Sequence, residues 1–300
     1  MTTPVTAPAD ALPLEHHLVQ TNGVTLHVVQ AGPADGELVI LLHGFPEFWF
    51  GWRRQIDALA KAGFRVWVPD QRGYNLSEKP KGIHQYGIDT LAADVVGLID
   101  AAGRDRAVIA GHDWGAAVTW HTAITHPDRV RKIAILNVPH PSVMIRTLRG
   151  DWSQRMKSWY MAYFQIPGLP ELGLGMGGSM FAAQSLIRSS RPGTFTDADI
   201  AQYIRAWSQP GAWTAMVNWY RGLVHAPAKL LSQPNADVRV HQPVLIIWGA
   251  KDMFLNVEMA SQSAELCDDA RLVLFDQATH WVQHEEAYQV SALLAEWFAS

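Results

Sequence analysis

The chain carries a carboxylate where it can act as a nucleophile. In Gly111-His112-Asp113-Trp114-Gly115, Asp113 stands midway between two glycines, after the apolar run 107–110 and before a helical pattern that starts at Ala116. A Gly-x-nucleophile-x-Gly turn between a buried strand and a helix is a nucleophile elbow. Its glycines let backbone segments approach where a side chain would collide. The turn lifts the central side chain above the sheet, at a helix N-terminus. A carboxylate that attacks a saturated carbon forms an alkyl ester. The chemistry expected of Asp113 is therefore the opening of an epoxide or the displacement of a halide, through a covalent intermediate.

Two further groups complete the chain order nucleophile, acid, histidine. Asp252 ends the segment Trp248-Gly249-Ala250-Lys251-Asp252, directly after an apolar run at 244–248. His280 lies in Gln277-Ala278-Thr279-His280-Trp281, directly after a strand pattern at 271–275. Both stand at strand carboxyl ends, where three side chains can converge. A histidine alone in that loop would read as a surface residue; behind Asp113 and Asp252 it reads as a base. Upstream, His43-Gly44-Phe45-Pro46 follows the apolar run Leu38–Leu42. Such a turn sets the N–H of Phe45 opposite that of Trp114, and the two would form an oxyanion hole. Phe45–Pro46 is a candidate cis peptide. His280 and His284 are four residues apart, but Trp281 stands where a metalloprotease helix carries its glutamate, so no metal is expected.

The elements that must hold these groups follow from periodicity. Residues 16–20 and 24–30 flank Asn22-Gly23 and predict a β-hairpin. Continuous apolar runs at 38–42, 107–110, 133–136 and 244–248 predict strands buried on both faces of a parallel sheet. A strand is expected at 64–68, and helices at 52–62, 88–101, 257–266 and from about 285. Between 139 and 241 strand patterns stop. Trp, Met, Tyr and Gln dominate there, with helical stretches near 152–165, 179–190, 197–208 and 212–223 and a glycine-rich break at 173–178. The expected fold is α/β: a mostly parallel, doubly wound sheet with an inserted helical cap over 139–241, the core being 15–138 and 242–300. An insertion at that point sits over the strand carboxyl ends, where ligands bind in such sheets.

Bulk properties narrow the classes. Three hundred residues with 48% hydrophobic content can bury the core of one α/β domain with an insertion, or of two small domains. A net charge of −4 gives no basic field for nucleic acid. The single cysteine, Cys267, excludes an internal disulfide and fits a reducing, cytoplasmic compartment. Residues 1–14 lack a basic region and an apolar core, so they read as a flexible tail rather than a signal peptide. No apolar run approaches about twenty residues, so no membrane span is expected. Of 13 tryptophans, Trp49, Trp52, Trp114, Trp152, Trp159, Trp207, Trp213 and Trp219 lie near motifs or in the middle third, which suggests an aromatic-lined pocket. Ordinary packing of large side chains competes for each of them, as it does for Phe48, Trp49 and Phe50. Asp70 and Arg72 read as a structural loop pair.

His43–Glu47, Pro69-Asp70-Gln71-Arg72-Gly73-Tyr74, Gly111–Gly115, Asn137-Val138-Pro139-His140-Pro141 and Trp248 through Asp252 together resemble the α/β-hydrolase-fold epoxide hydrolases, from about residue 15 to the C-terminus. Tyr160-Met161-Ala162-Tyr163-Phe164-Gln165 resembles that family's first cap motif, and the resemblance implies a catalytic role for Tyr160. Ser208-Gln209-Pro210-Gly211-Ala212 followed by Asn218-Trp219-Tyr220-Arg221 resembles the second and implies the same for Tyr220. Chemistry wants such a pair, because an epoxide oxygen leaves as an alkoxide and needs phenolic donors. Relatives usually have glycine at the position of Asn75; asparagine tolerates left-handed backbone, so the loop is expected to persist.

The expected function is hydrolysis of an epoxide to a vicinal diol without metal or organic cofactor. Asp113 is the nucleophile, His280 the base oriented by Asp252, and Tyr160 and Tyr220 the donors. The N–H groups of Phe45 and Trp114 form the oxyanion hole, and His43, Pro46, Phe164 and Trp281 are candidate pocket residues. The only partner expected is a small-molecule epoxide, with the chain a monomer or homodimer. A haloalkane or haloacid dehalogenase would share Asp113, His280, Asp252 and a halide-contacting Trp114. Fluoroacetate dehalogenases, however, carry arginines where this chain has Trp114 and Ala117, and a halide gives two tyrosines no task. A non-catalytic binding protein on the same fold would have lost part of the set.

Overall fold

A computed structural model describes residues 12–228 and 238–300. The expected N-terminal tail therefore falls, up to residue 11, outside the described residues. β1 (Glu15–Thr21) and β2 (Val24–Ala31) form the hairpin, and Asn22 and Gly23 turn it with φ of 42° and 75°. Six more strands follow: β3 (Leu38–Leu42), β4 (Arg65–Pro69), β5 (Ala107–His112), β6 (Val130–Leu136), β7 (Val244–Gly249) and β8 (Ala270–Phe275). They join in the order β1-β2-β4-β3-β5-β6-β7-β8. The β1–β2 and β2–β4 pairs are antiparallel and all others parallel.

Alternate residues of each central strand feed two cores, as the two-residue period of a strand requires. Ile40, Ile109, Ile135 and Ile246 face the side covered by α2 (Ile88–Ala101), α3 (Trp114–Thr125) and α10 (Glu258–Ala264). Val39, Val108, Ala134 and Leu245 face the side covered by α1 (Arg53–Lys61) and the C-terminal α12 (Ala287–Ala299), which follows the short α11 (Val282–Glu285). The chain leaves β3 toward β4 on one side and leaves β5 toward β6 on the other. Their following loops diverge and open a crevice at the strand carboxyl ends.

Between β6 and β7 the described chain is helical: α4 (Pro141–Gly150), α5 (Trp152–Lys157), α6 (Trp159–Tyr163), α7 (Leu169–Ser189), α8 (Asp197–Trp207) and α9 (Ala212–His225). Three features differ from the sequence expectation. α4 lies where the sequence reading places no helix; it begins on Pro141, with His140 accepting a bond from the Ser142 N–H. The stretch expected as one helix over 152–165 divides at Ser158. The glycine-rich break falls inside α7, where Gly177, Gly178 and Ser179 take φ of 60°, 67° and 70° in succession. The insert is bolted to the core: Tyr203 donates to Glu47 (2.7 Å), Trp207 to the Pro46 carbonyl (2.5 Å) and Trp219 to the Arg72 carbonyl (2.9 Å).

The Asp70–Arg72 pairing does not form. Asp70 accepts from His27 (2.7 Å), Asn75 (2.8 Å) and the Trp49 N–H (2.9 Å). Arg72 grips Asp94 of α2 with two bonds of 2.6 and 2.7 Å. Each takes a partner distant in sequence, so proximity along the loop misleads. Asn75 does adopt the left-handed backbone, at φ 39°. Cys267 is buried with its thiol pushed up to about 12 by desolvation, as fits a packed structural thiol. Among the described residues no helix is long and apolar enough to cross a membrane.

Candidate active site

Asp113 sits at the head of α3 with φ 50° and ψ −123°, a conformation L-residues seldom adopt. Two of the glycines around it are obligatory. A Cβ on Gly115 would lie 2.1 Å from the Leu42 carbonyl oxygen, and one on Gly44 would lie 2.2 Å from the Asp113 Cβ. That compression lets the Phe45 N–H donate to Asp113 Oδ1 at 2.7 Å. The Phe45–Pro46 peptide is cis, as expected. Trp114 is the first residue of α3, where an N–H has no intrahelical acceptor. The two backbone donors proposed from the sequence thus flank Asp113 from the β3 and β5 loops.

His280, on the loop after β8, bridges two carboxylates. Its Nδ1 lies 2.7 Å from Asp252 Oδ2, and its Nε2 lies 3.5 Å from Asp113 Oδ2. Asp252 is held by the Asn137 side chain (2.8 Å) and by the N–H groups of Phe254 (2.7 Å) and Leu255 (3.0 Å). Asn137 also accepts from the Gly249 N–H (2.9 Å), so it ties the β6 and β7 ends together beneath the acid. Burial disfavours an imidazolium here, yet Asp252 and Asp113 together outweigh it and push His280 up to about 10. Burial likewise works against the Asp113 carboxylate, but His280 holds it below its ordinary value.

Above Asp113 the helical insert encloses a cavity of about 260 Å³. Phe45, Pro46, Phe164, Leu174, Leu186, Phe254 and Trp281 form its apolar wall, and Asp113, His280, Tyr160 and Tyr220 face into it. The Tyr160 and Tyr220 rings stand edge to face, 5.9 Å apart. Desolvation and then the Asp113 charge raise both phenols above their ordinary values, so each keeps its proton to donate. Of the four pocket candidates Pro46, Phe164 and Trp281 line the cavity. His43 does not: it is fully buried under the loop, bonded to the Gly44 carbonyl and accepting the Gln71 N–H. The aromatic wall is mainly phenylalanine and tyrosine. Of the eight tryptophans named from the sequence only Trp159 lines the cavity. Trp114 packs against Tyr220 and Trp219 instead.

Sequence reasoning passed over a second group. Glu47, buried, accepts Tyr203 (2.7 Å), His284 (2.7 Å) and Gln283 (3.0 Å), and its Oε2 lies 3.2 Å from His112 Nδ1. His112, beside the nucleophile, bonds the His280 carbonyl through Nε2 (2.8 Å), and its Nδ1 lies 3.0 Å from the Gln283 amide. Because Arg53 donates to His284 Nδ1 (3.2 Å), that ring is neutral and donates through Nε2. His280 and His284 therefore engage different carboxylates. Glu47 was visible only as the last letter of the turn motif. Nothing local says that its partners come from three distant elements.

These features define the class. Residues 37–287 match the model of the α/β-hydrolase fold family, and the chain belongs to that family. Its relatives narrow the group. It is 46% identical over 93% of its length to the AB hydrolase superfamily protein YfhM of Bacillus subtilis, of which it covers 96%. It is 36% identical over 94% of its length to epoxide hydrolase 2 of Caenorhabditis elegans, covering 79% of that protein. The crystal structure of epoxide hydrolase A from Mycobacterium thermoresistibile superposes with a TM-score of 0.84 at 32% identity, over 95% of this chain and 98% of that one.

Proposed function

We propose that the protein hydrolyses epoxides to vicinal diols in two covalent steps. The observation that carries this reading is a carboxylate nucleophile, Asp113, facing two protonated tyrosines across one apolar cavity. An ester substrate would call for a hydroxyl or thiol nucleophile. A carboxylate with phenols opposite suits attack on a saturated carbon whose leaving oxygen stays attached to the product.

Asp113 Oδ1 is occupied by the Phe45 N–H, so Oδ2 attacks a ring carbon. The C–O bond breaks toward Tyr160 and Tyr220, and the oxygen takes a phenolic proton. Esterification removes the negative charge 3.5 Å from His280 Nε2, so the imidazolium loses one of its two supports. Its proton restores the phenol. The neutral ring, still oriented by Asp252, then takes a proton from water as the water adds to the ester carbonyl. The oxyanion that forms at Oδ1 meets the N–H groups of Phe45 and Trp114. Collapse breaks the bond from the carboxyl carbon to the alkoxy oxygen, which takes the proton of the newly added hydroxyl; the diol leaves and the carboxylate–imidazolium pair is regenerated. Residues 139–241 act in this reading as a cap that brings the tyrosines and closes the site from bulk water; positions 229–237 lie outside the described residues.

The dehalogenase alternative gains no support from Trp114, which packs away from the cavity wall. Incubating the His280→Gln variant with an aryl or alkyl epoxide should leave a mass adduct of one substrate on the peptide containing Asp113. Wild type that makes no diol from aryl, alkyl and fatty-acid epoxides would refute the assignment, and halide release from haloalkanes would replace it.

A further inference from the structure

One face of the insert is built against the ordinary pattern. Trp152 and Met156, four residues apart on α5, and Trp159, which opens α6, all lie at the surface: they are 70%, 56% and 63% exposed. A soluble helix turns such side chains to the core. Met156 and Trp159 also line the cavity, together with Met253, which is 53% exposed. The apolar patch is thus continuous with the cavity mouth. Exposed apolar surface of this kind marks an interaction site.

Helices α4 and α5 carry Arg146, Arg149, Arg155 and Lys157, in a chain whose net charge is −4; Arg146 donates to the Gln262 side chain of α10 (3.2 Å). Among the described residues none of the four makes an ion pair. Arg155 donates to the Leu148 and Arg149 carbonyls at the end of α4, and Lys157 to the Asp252 carbonyl (3.3 Å). Two carboxylates of the insert have other partners. Asp151 caps α5 and accepts from Asn256, while Glu171 pairs with Arg221 (2.6 Å). Arg146 and Arg149 further line an open depression of about 450 Å³ with Ser142 and Gly150.

We propose that the α4–α6 face seats the protein on an anionic phospholipid bilayer. Trp152, Met156 and Trp159 enter the interfacial layer, where indole rings are favoured. The arginines of α4 meet headgroup phosphates, and the depression between them receives one. Charge complementarity selects this occupant, because four cations unmatched by carboxylates around an apolar patch are what an anionic interface requires. The cavity mouth then opens onto the lipid, so the substrate class is an apolar epoxide dissolved in the membrane. That last clause alone rests on the proposed reaction.

Co-sedimentation with vesicles tests the docking without turnover. Wild type should pellet with vesicles of 30% phosphatidylglycerol in phosphatidylcholine at low salt. Binding should fall more than tenfold in about 0.5 M salt, as screening shortens the reach of the charges. Pure phosphatidylcholine should bind weakly. Arg146→Gln with Arg149→Gln should weaken binding about 25-fold, at roughly fivefold per cation, with unchanged Tm and unchanged hydrolysis of a water-soluble epoxide. Trp152→Ser should weaken it independently. Wild type that stays in the supernatant at low salt, or arginine variants that bind as well as wild type, would overturn the proposal. So would a dimer that Trp152→Ser dissolves in the absence of vesicle binding, which would give the face to a second copy of the chain.

Discussion

Replacing Asp113 by asparagine should return His280 to the ordinary range of histidine. The carboxylate and imidazole lie 3.5 Å apart in a buried site. At an effective dielectric of about 20 a unit charge pair at that distance is worth about 5 kcal/mol. That is roughly 3.5 pKa units, at about 1.4 kcal/mol each. Starting from about 10, His280 would titrate near neutrality in the variant. The imidazole Cε1 proton, followed by NMR and assigned by difference against His280→Gln, reports this directly. Stability gives a second readout. A histidine raised from 6.5 to about 10 stabilises the fold fully below pH 6.5, and the contribution disappears as pH rises toward 10. Asp113, held below 3.8, stabilises above that value and ceases to as pH falls through its folded pKa. The Tm difference between wild type and Asp113→Asn should therefore be widest from about pH 4 to 6.5 and close toward pH 10. A His280 that still titrates near 10 in the variant would show that Asp252 alone sustains the imidazolium. The charge-driven release of its proton on ester formation would then be wrong.

In single turnover, ester hydrolysis should rise with pH through about 7, while ester formation stays flat from about pH 5 to 9; parallel profiles would contradict the mechanism. Tyr160→Phe and Tyr220→Phe should each slow ester formation about 10²-fold, the loss typical of one donor to a developing oxyanion, and the double variant should lose far more in rapid-quench assays. Gly115→Ala drives a Cβ to 2.1 Å from the Leu42 carbonyl; it should cost several kcal/mol in urea unfolding, on the scale of about 1–3 kcal/mol for overpacking plus backbone strain. Arg72→Met leaves Asp94 a buried unpaired carboxylate and should cost about 3–5 kcal/mol, while Arg72→Met with Asp94→Leu recovers most of it.

Legibility in the sequence followed how local the determinants are. The central strands were readable because residues buried on both faces leave continuous apolar runs, and the elbow because its glycines stand two residues to either side of the nucleophile. The order Asp113, Asp252, His280 pointed to side chains that the fold brings together, because each lies in the loop after a strand and strand ends converge. Failures came where a partner is remote. Asp70 and Arg72 look like a pair two residues apart, but His27 and Asp94 claim them through the tertiary fold. His43 has the chemistry of a pocket residue and is turned inward by the same loop that presents Phe45. Most tryptophans proposed for the pocket pack elsewhere, since an aromatic ring carries no label for which surface it faces.

Glu47 has a consequence for how such proteins can be recombined. Of the four side chains that meet this buried carboxylate, His112, Gln283 and His284 come from the core and Tyr203 from the insert. An insert transplanted from another member onto this core must bring a hydroxyl to that spot. Otherwise a charge sealed from water is left one donor short, at a cost of about 1–3 kcal/mol. The insert is separable as a stretch of chain but not as a module: part of its compatibility is written into a carboxylate buried in the core.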